Sequence, residues 1–454
     1  MIPVWHGGEF PAGTGRLDGR NQEVEPRAGG RCGTLHIMHR ADRHPSRRAF
    51  LDVTGATVAA GLLAGCSWDS AGPGRSGPSA AAGDTPDPER AAAAESESVP
   101  ATGRHQAGVT LPRSAQRNLL AVVADLGTGV APGPLLAELG ETIRALTAGS
   151  DPRLLGLSPG DLTVTVGVGP RLVRAAGASL PGSSPSGASL PGATPSGASL
   201  PGADDLPRFS RERIASRARG GDLLIQICAG DALVVPVVAA ALLDQAGDRV
   251  RERWRQSGRR GTNVPVAEGR TAPRNLLGFI DGIVGPHTTA EQERDLWLAG
   301  PPAVAGGTLA VLRRMELDLK RFAALSVAEQ EAVFGRRRSS GVPLSGGAVA
   351  SGPELGAKTP DGRYLVPVDA HVRRAHPTVV GVGLMLRRSY STDEPAPGLL
   401  FISFQNDLRT FTATLTRMDT SDALLPFTTT TASATFLILP GFDRQRPLGS
   451  TLFG

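Results

Sequence analysis

Apolar and polar residues alternate in a regular order between residues 118 and 246. Some runs have the length and apolar content of strands, whereas others repeat their apolar residues with the spacing of a helix. The segments predict a strand, a helix, two strands and a helix at NLLAVVADLG, PGPLLAELGETIRALTAG, DLTVTVGVGP, GDLLIQICAGD and ALVVPVVAAALLDQA. This order is nearly that of a ferredoxin-like unit.

A second series of the same kind begins near residue 306. Strands are predicted at GGTLAVLRRMEL, VGVGLMLRRSY, GLLFISFQND and ATFLILPG, and helices at SVAEQEAVFG and DLRTFTATLTRM. Two such units predict an α+β fold of paired antiparallel sheets with helices packed outside. The glycines of VGVGP lack the GxGxxG spacing, which disfavours a Rossmann domain.

The chain near residue 46 has the features of an export signal. Arg47 and Arg48 precede a short apolar run that ends at Cys66, and this arrangement resembles a twin-arginine signal. The tetrad LAGC resembles a bacterial lipobox, in which Cys66 would be lipidated and tether the protein to a membrane face; the alternative is a small buried cysteine. Since 45 residues precede Ser46, Met38 is the more typical start, and residues 1–37 are expected not to belong to the natural product.

Composition divides the chain into four predicted regions. Residues 1–66 form the N-terminal extension with the signal, and residues 67–104, rich in Ala, Ser, Gly, Pro and acid, form a disordered tether. Residues 105–270 and 271–454 form the first and second ferredoxin-like halves. Three copies of GASLPG, ten residues apart, predict a flexible insertion at 177–204.

Charge and cysteine content exclude two classes of protein. The net charge is +5, but the basic residues form short clusters and aromatic residues make up only 4%, so a nucleic-acid surface is not expected. Cys228 is the one cysteine beyond the signal region, which excludes an internal disulfide there. Its apolar surroundings predict a packed strand residue.

One carboxylate stands out for its flanking glycines. In NLLGFIDGIVGP, Gly278 and Gly282 surround Asp281 at the end of an apolar segment. Glycines allow a sharp bend or a close approach of the backbone, so Asp281 is expected to face a cavity; an ordinary turn is the alternative.

Imidazole ligands are scarce. Four histidines lie beyond the signal, namely His105, His287, His371 and His376, and the chain contains no HExxH or CxxC motif. His371 and His376 lie five residues apart in a predicted loop, which is poor spacing for one zinc site, whereas a single histidine can hold a haem iron from one side. Arg387 and Arg388 end a predicted strand, so one guanidinium is expected to point inward and the other to solvent.

Four segments, RNLLGFIDG, DAHVRRAHP, LMLRRSYS and GLLFISFQND, occur in an order that resembles dye-decolorising peroxidases, most closely the exported subgroup with deferrochelatase-type proteins. The resemblance implies a haem b enzyme on duplicated ferredoxin-like units of the dimeric α+β barrel type. It also implies that His371 is the proximal iron ligand and that Asp281 and Arg387 lie on the distal face. Asp422 resembles the acid that holds the second imidazole N–H; a helix or turn cap is the alternative.

The implied roles follow from peroxide chemistry. Asp281 would relay a proton between the two peroxide oxygens, and Arg387 would stabilise the negative charge on the leaving oxygen. The sequence departs from the family pattern at two residues. Ser389 replaces a glycine beside the arginine, and His376 stands where asparagine is common, which makes His376 a rival ligand to His371.

Two functions therefore compete. The first is a haem peroxidase that reduces hydrogen peroxide and oxidises dye-like or phenolic donors. The second is a haem-binding lipoprotein that captures haem or releases its iron. For both functions we expect a membrane tether through Cys66, a homo-oligomeric state and no binding to nucleic acid.

Overall fold

The computed structural model describes residues 98–179 and 199–454. Its strands are β1 (Asn118–Leu126), β2 (Thr163–Val168), β3 (Leu223–Ala229), β4 (Val250–Arg259), β5 (Asn263–Ala267), β6 (Arg270–Pro273), β7 (Thr308–Leu317), β8 (Leu386–Arg387), β9 (Tyr390–Thr392), β10 (Gly398–Gln405) and β11 (Thr428–Ile438). Its α-helices are α1 (Pro132–Thr147), α2 (Pro170–Ser179), α3 (Val234–Ala246), α4 (Thr289–Asp295), α5 (Leu319–Ala323), α6 (Val327–Phe334), α7 (His371–Arg374), α8 (Pro377–Val380), α9 (Leu408–Ser421) and α10 (Ser450–Phe453). The predicted signal, the lipobox, the tether up to residue 97 and most of the GASLPG repeats lie outside the described residues.

One antiparallel sheet carries both halves of the fold. Its order is β7-β11-β2-β3-β1-β4-β9-β10-β8, and a further pairing of β7 with β10 closes it into a barrel-like ring. In each half the first and third strands are central, the fourth flanks the first, and the second flanks the third. The halves meet where β2 pairs with β11 and β4 pairs with β9. The predicted duplication of a ferredoxin-like unit is confirmed.

Side chains alternate between the two faces of this sheet, as the strand period requires. On β1, Leu120 and Val122 belong to a core cluster that also contains the apolar faces of α1 and α3. Leu119, Ala121 and Val123 belong to a second cluster, which collects inward-facing residues from strands around the ring. The fold therefore has one core inside the barrel and another under the helices of the first half.

Strand β4 completes the first half, although its apolar content did not predict it. Trp254, Gln256 and Gly258 are buried, and the residues between them are exposed. The alternation has the period of a strand, but arginine and glutamate fill most of its outward positions. Helix α2 was also not predicted.

The predicted strand VGVGLMLRRSY is mostly irregular. Only Leu386–Arg387 and Tyr390–Thr392 pair with β10, and they do so at separate places. Gly383, Leu384 and Met385, just before β8, do not pair with β10 and instead line a cavity.

The ends of two predicted flexible segments are packed. Val99, within the predicted tether, is buried, and Leu200 and Ala203, within the predicted insertion at 177–204, belong to the first-half core. Burial of these apolar side chains favours order at both places. The boundaries of the two halves stay a prediction.

The connection from β7 to β8 is long and carries α5 to α8. Ser326 begins α6 with a capping box to Glu329, and Gly335 ends the helix with φ +86°. A side chain at Gly335 would lie 2.5 Å from Val372, so glycine allows α6 to approach α7 closely. Within the described ranges, no helix has the length and apolar character to cross a membrane.

Candidate active site

A cavity of about 220 Å³ lies in the second half, between the outer face of the sheet and helix α9. The sheet contributes Met315, Leu317, Leu399 and Phe401 to its wall. The helix contributes Phe411, Thr414, Leu415 and Met418. Asp281, His371, His376 and Arg387 also line the cavity. Its wall is mostly apolar, with a few charged or imidazole groups that converge on one space.

Asp281 reaches the cavity from a tight loop. Gly278 and Gly282 both have positive φ, at +83° and +76°, so the flanking glycines are needed for the bends that the sequence indicated. The backbone N–H of Asp281 donates to Pro273 O at 2.9 Å, and that of Gly282 donates to Oδ1 of Asp281 at 2.7 Å. Oδ2 of Asp281 has no hydrogen-bond partner among the described residues. The loop thus fixes the carboxylate and leaves one oxygen available.

Arg387 lies beside this loop. Its backbone is in β8 and faces Ser403 of β10, and its carbonyl oxygen lies 4.0 Å from where a side chain at Gly282 would begin. In the part of the chain that the structure describes, the Arg387 guanidinium forms no ion pair and donates no hydrogen bond. The cavity therefore receives an unpaired cation and a carboxylate from adjacent segments.

His371 is the first residue of α7, and its imidazole is held from behind. Nδ1 lies 2.9 Å from Oδ2 of Asp422, whose side chain is fully buried. Oδ1 of Asp422 accepts the N–H of Leu424 at 2.8 Å, and the N–H of Ala423 donates to Asp369 O at 2.9 Å. Asp422 is thus the C-cap residue of α9, and its carboxylate also contacts His371. Nε2 of His371 has no partner among the described residues.

Phenylalanine rings support the histidine. Phe334 lies edge-on to His371, with ring centroids 5.9 Å apart. Phe279 stacks on Phe334 at 3.7 Å, and both rings belong to a small apolar cluster with Phe322 and Phe427. Phe279 lies two residues before Asp281 in the sequence. The same apolar cluster therefore supports both the histidine and the acid.

Arg336 adds a buried cation that the sequence analysis did not select. Its guanidinium donates only to backbone carbonyls, those of Gly341 at 2.8 Å, Val349 at 2.9 Å and Ser351 at 3.3 Å. Burial, followed by the nearby charge of Arg387, lowers the pKa of Arg336 to about 10. In the sequence, Arg336 is marked only as the first of three consecutive arginines in the segment GRRRSSGVPL.

His376 lines the same cavity, and its Nδ1 is buried without a hydrogen-bond partner in the described chain. Burial, followed by the charge of Arg336, lowers the pKa of His376. The segment DAHVRRAHP was predicted to be a loop. Instead, it contains the short helix α7, which begins with His371, and leads into the short helix α8, whose N-cap residue is His376.

Arg388 differs from its prediction. Instead of pointing to solvent, it is buried and donates to the carbonyls of Pro112 and Arg113. Burial lowers its pKa to about 10. The residue is close to Cys228 and Tyr390 in the barrel interior, because alternation along the strand turns it away from the side on which Arg387 lies.

His105, His287 and Cys228 make contacts that are typical of structural residues. His105 stacks on Trp297 with centroids 3.7 Å apart, and His287 lies 2.9 Å from Ile283 O through Nε2. Cys228 is buried in β3, as predicted. No group of three or more His, Cys, Asp or Glu residues suited to a metal ion occurs within 98–179 and 199–454.

Comparison with known proteins gives consistent results. Family models match residues 272–443, described as Dyp-type peroxidase, C-terminal, and residues 192–260, described as Dyp-type peroxidase, N-terminal. The dye-decolorizing peroxidase of Thermobifida fusca is 32% identical over 312 residues, which are 65% of this chain and 68% of the relative. The deferrochelatase of Yersinia pestis is 29% identical over 373 residues, 75% of this chain and 81% of the relative.

A solved structure agrees with these matches. The DyP-type peroxidase of Cellulomonas bogoriensis superposes with a TM-score of 0.68 and 31% identity, over 79% of this chain and 99% of that chain. The chain therefore belongs to the Dyp-type peroxidase family. It is a haem peroxidase with haem b as its cofactor, and hydrogen peroxide and an organic electron donor are its substrates. The resemblance found in the sequence is confirmed at this level.

Proposed function

We propose that the cavity between α9 and the sheet holds the haem, with His371 as the iron ligand through Nε2. The supporting observation is that Asp422 occupies Nδ1 and leaves Nε2 without a partner. An imidazole whose other nitrogen is bound by a carboxylate is oriented and made more basic, which suits a metal ligand. Within 98–179 and 199–454 no acid binds Nδ1 of His376, which makes His376 the weaker candidate.

The residues of the cavity fit a flat, apolar macrocycle with carboxylate side chains. The wall is mostly apolar, and Arg336 supplies a buried charge with no carboxylate partner in the described ranges. A buried unpaired cation is costly unless an anion compensates it. In this proposal, Arg336 and Nδ1 of His376 would hold a carboxylate of the haem.

In this proposal, Asp281 and Arg387 have different roles in the reaction with peroxide. When bound, haem supplies the redox chemistry that reduces peroxide and withdraws electrons from the donor. Oδ2 of Asp281 accepts a proton from one peroxide oxygen and returns it to the other, while Oδ1 stays fixed by Gly282. The free guanidinium of Arg387 stabilises the negative charge that develops on the leaving oxygen. The convergence of these groups and His371 on one cavity is the observation that carries the proposal.

An Asp281→Asn variant tests this assignment. Losing the proton relay should slow the reaction with hydrogen peroxide by about 10²- to 10⁴-fold, because general acid–base catalysis contributes that much. The haem-to-protein ratio should not change. Stopped-flow absorbance gives the rate, and Asp248→Asn, which removes an exposed carboxylate from the first half, is the control. A rate within twofold of wild type would exclude Asp281 as the relay.

Haem capture with iron release is the second candidate, and the deferrochelatase relatives favour it. It predicts that the wild-type protein frees iron from haem and leaves an intact porphyrin, which a colorimetric chelator and porphyrin fluorescence would detect. Turnover of a phenolic donor without free iron would reject this candidate.

We also propose export by the twin-arginine route and lipidation of Cys66. The supporting residues are the pair Arg47 and Arg48 and the LAGC tetrad. Replacing both arginines with lysine should leave the protein in the cytoplasm, and Cys66→Ser should release exported protein from the membrane fraction.

Sedimentation of the purified protein would test the predicted homo-oligomer.

A further inference from the structure

A second groove lies on the side of α9 that faces away from the cavity. Arg374 of α7 and Arg417 of α9 line it, together with Thr412, Thr416 and Thr420. The three threonines recur every fourth residue, so they share one face of the helix. The cavity-lining residues of α9, such as Leu415 and Met418, lie on a different face. The groove is therefore separate from the proposed haem site.

Both arginines of the groove lack an anion. Within the described parts of the chain, neither Arg374 nor Arg417 forms an ion pair, and Nε of each is buried without a partner. Arg374 donates through Nη2 to Arg417 O at 2.6 Å and to the hydroxyl of Thr420, while the guanidinium of Arg417 donates to no described residue. Burial, and then the charges of Arg374 and Arg373, lower the pKa of Arg417.

Two partly buried guanidiniums on one groove, with no carboxylate partner among the described residues, repel one another, and desolvation makes each charge more costly. An oxyanion between them would remove the repulsion and accept the unused N–H groups. Arginine is well suited to such binding because its planar fork matches the oxygens of phosphate. Arg373 does not take part, because its donors bind the carbonyls of Leu355, Val366 and Pro367.

We propose that the groove between α7 and α9 is a binding site for a small tetrahedral oxyanion such as phosphate or sulfate, held by Arg374 and Arg417 with threonine hydroxyls as additional donors. The anion would bridge the helix that begins with His371 and the helix that ends at Ser421, next to Asp422. Binding itself does not require that the haem assignment be correct, so the two proposals fail independently.

The test is titration of the haem-free and haem-loaded protein with inorganic phosphate, followed by calorimetry and by the thermal unfolding midpoint. We expect saturable binding and a rise in the midpoint in both forms. Arg417→Gln should weaken phosphate binding about tenfold or more, since hydrogen bonds to charged groups contribute about 1.5–3 kcal/mol. Arg409→Gln, which removes an exposed arginine from the same helix, should leave the affinity unchanged.

Several outcomes would overturn the proposal. Sodium chloride at matched ionic strength should not reproduce the effect; if it does, the arginines are only screened. Equal phosphate affinity in Arg417→Gln and wild type would place the anion elsewhere. Binding to anionic lipid vesicles that depends on Arg417, without any phosphate binding, would assign the groove to a membrane surface instead.

Discussion

The two halves of the sheet share one topology but differ in what covers their outer faces. Helix α3 of the first half and helix α9 of the second both connect the third strand to the fourth. Seven of the thirteen residues of α3 are buried, against three of the fourteen residues of α9. The first half therefore has a filled core where the second half has a cavity.

The difference lies in the side chains rather than in the backbone order. Helix α3 has the sequence VVPVVAAALLDQA, and its apolar residues pack on β1 and β3. Helix α9 has the sequence LRTFTATLTRMDTS, with threonine or arginine at half its positions. Helix α9 presents only scattered apolar groups to the sheet, and the long β7–β8 connection brings His371 to the edge of the space that remains. A duplicated fold can thus keep one copy for stability and use the other for chemistry.

Removing His371 should have the largest effect on this contrast. His371→Ala leaves the cavity without its proposed iron ligand, so the purified protein should lose the Soret band of bound haem. His376→Ala should retain the band, because Nδ1 of His376 has no carboxylate behind it. Absorption spectra after gel filtration measure both variants. A Soret band that survives in His371→Ala but disappears in His376→Ala would transfer the ligand assignment to His376.

Replacing Arg387 should have the next largest effect. Arg387→Leu removes the free cation from the cavity, and the reaction with peroxide should slow by about 10²- to 10³-fold while haem stays bound. Arg387→Lys keeps the charge but loses the planar fork, so the expected decrease is smaller. Stopped-flow absorbance measures both rates. Equal rates for Arg387→Leu and Arg387→Lys would contradict this expectation, because they would show that a positive charge alone gives no benefit at this position and that the planar guanidinium is required.

A matched pair of leucine truncations compares the two helices directly. Leu242→Ala in α3 should lower the free energy of unfolding by about 2–5 kcal/mol, because Leu242 is buried in a filled core. Leu415→Ala in α9 should cost about 1 kcal/mol in the haem-free protein, because Leu415 already faces a cavity. Denaturant unfolding of haem-free protein measures both. Equal losses would contradict the proposed difference in packing.

Cys228 gives the smallest expected effect. Burial raises the pKa of its thiol from 9.0 to about 11, so almost no thiolate forms at pH 8, and iodoacetamide should not label Cys228 in the native protein. The stability linked to this raised pKa is present below pH 9 and is lost as the pH rises toward 11. Peptide mapping measures the labelling, with unfolded protein as the positive control. Rapid native labelling would mean that the barrel interior opens.

The sequence by itself determined much of the fold and of the site. Periodicity located the central strands of both halves and helices α1, α3, α6 and α9, because apolar spacing reports directly which face of a local element is buried. The glycines around Asp281 indicated a bend at both neighbours, and each has positive φ. Ordered motifs selected Asp281, His371 and Arg387, and all three line one cavity.

Only the tertiary structure decided which residues meet. The burial of Arg388, the unpaired charge of Arg336 and the bond from His371 to Asp422, fifty-one positions apart, depend on contacts between distant segments. Strand β4 was also missed. Arginines on its outward face obscure the apolar alternation in the sequence, and its other face is buried only when β4 pairs with β1 in the folded protein. A linear pattern encodes what each segment buries, but charge compensation and cavity shape arise from groups that the chain brings together only after folding.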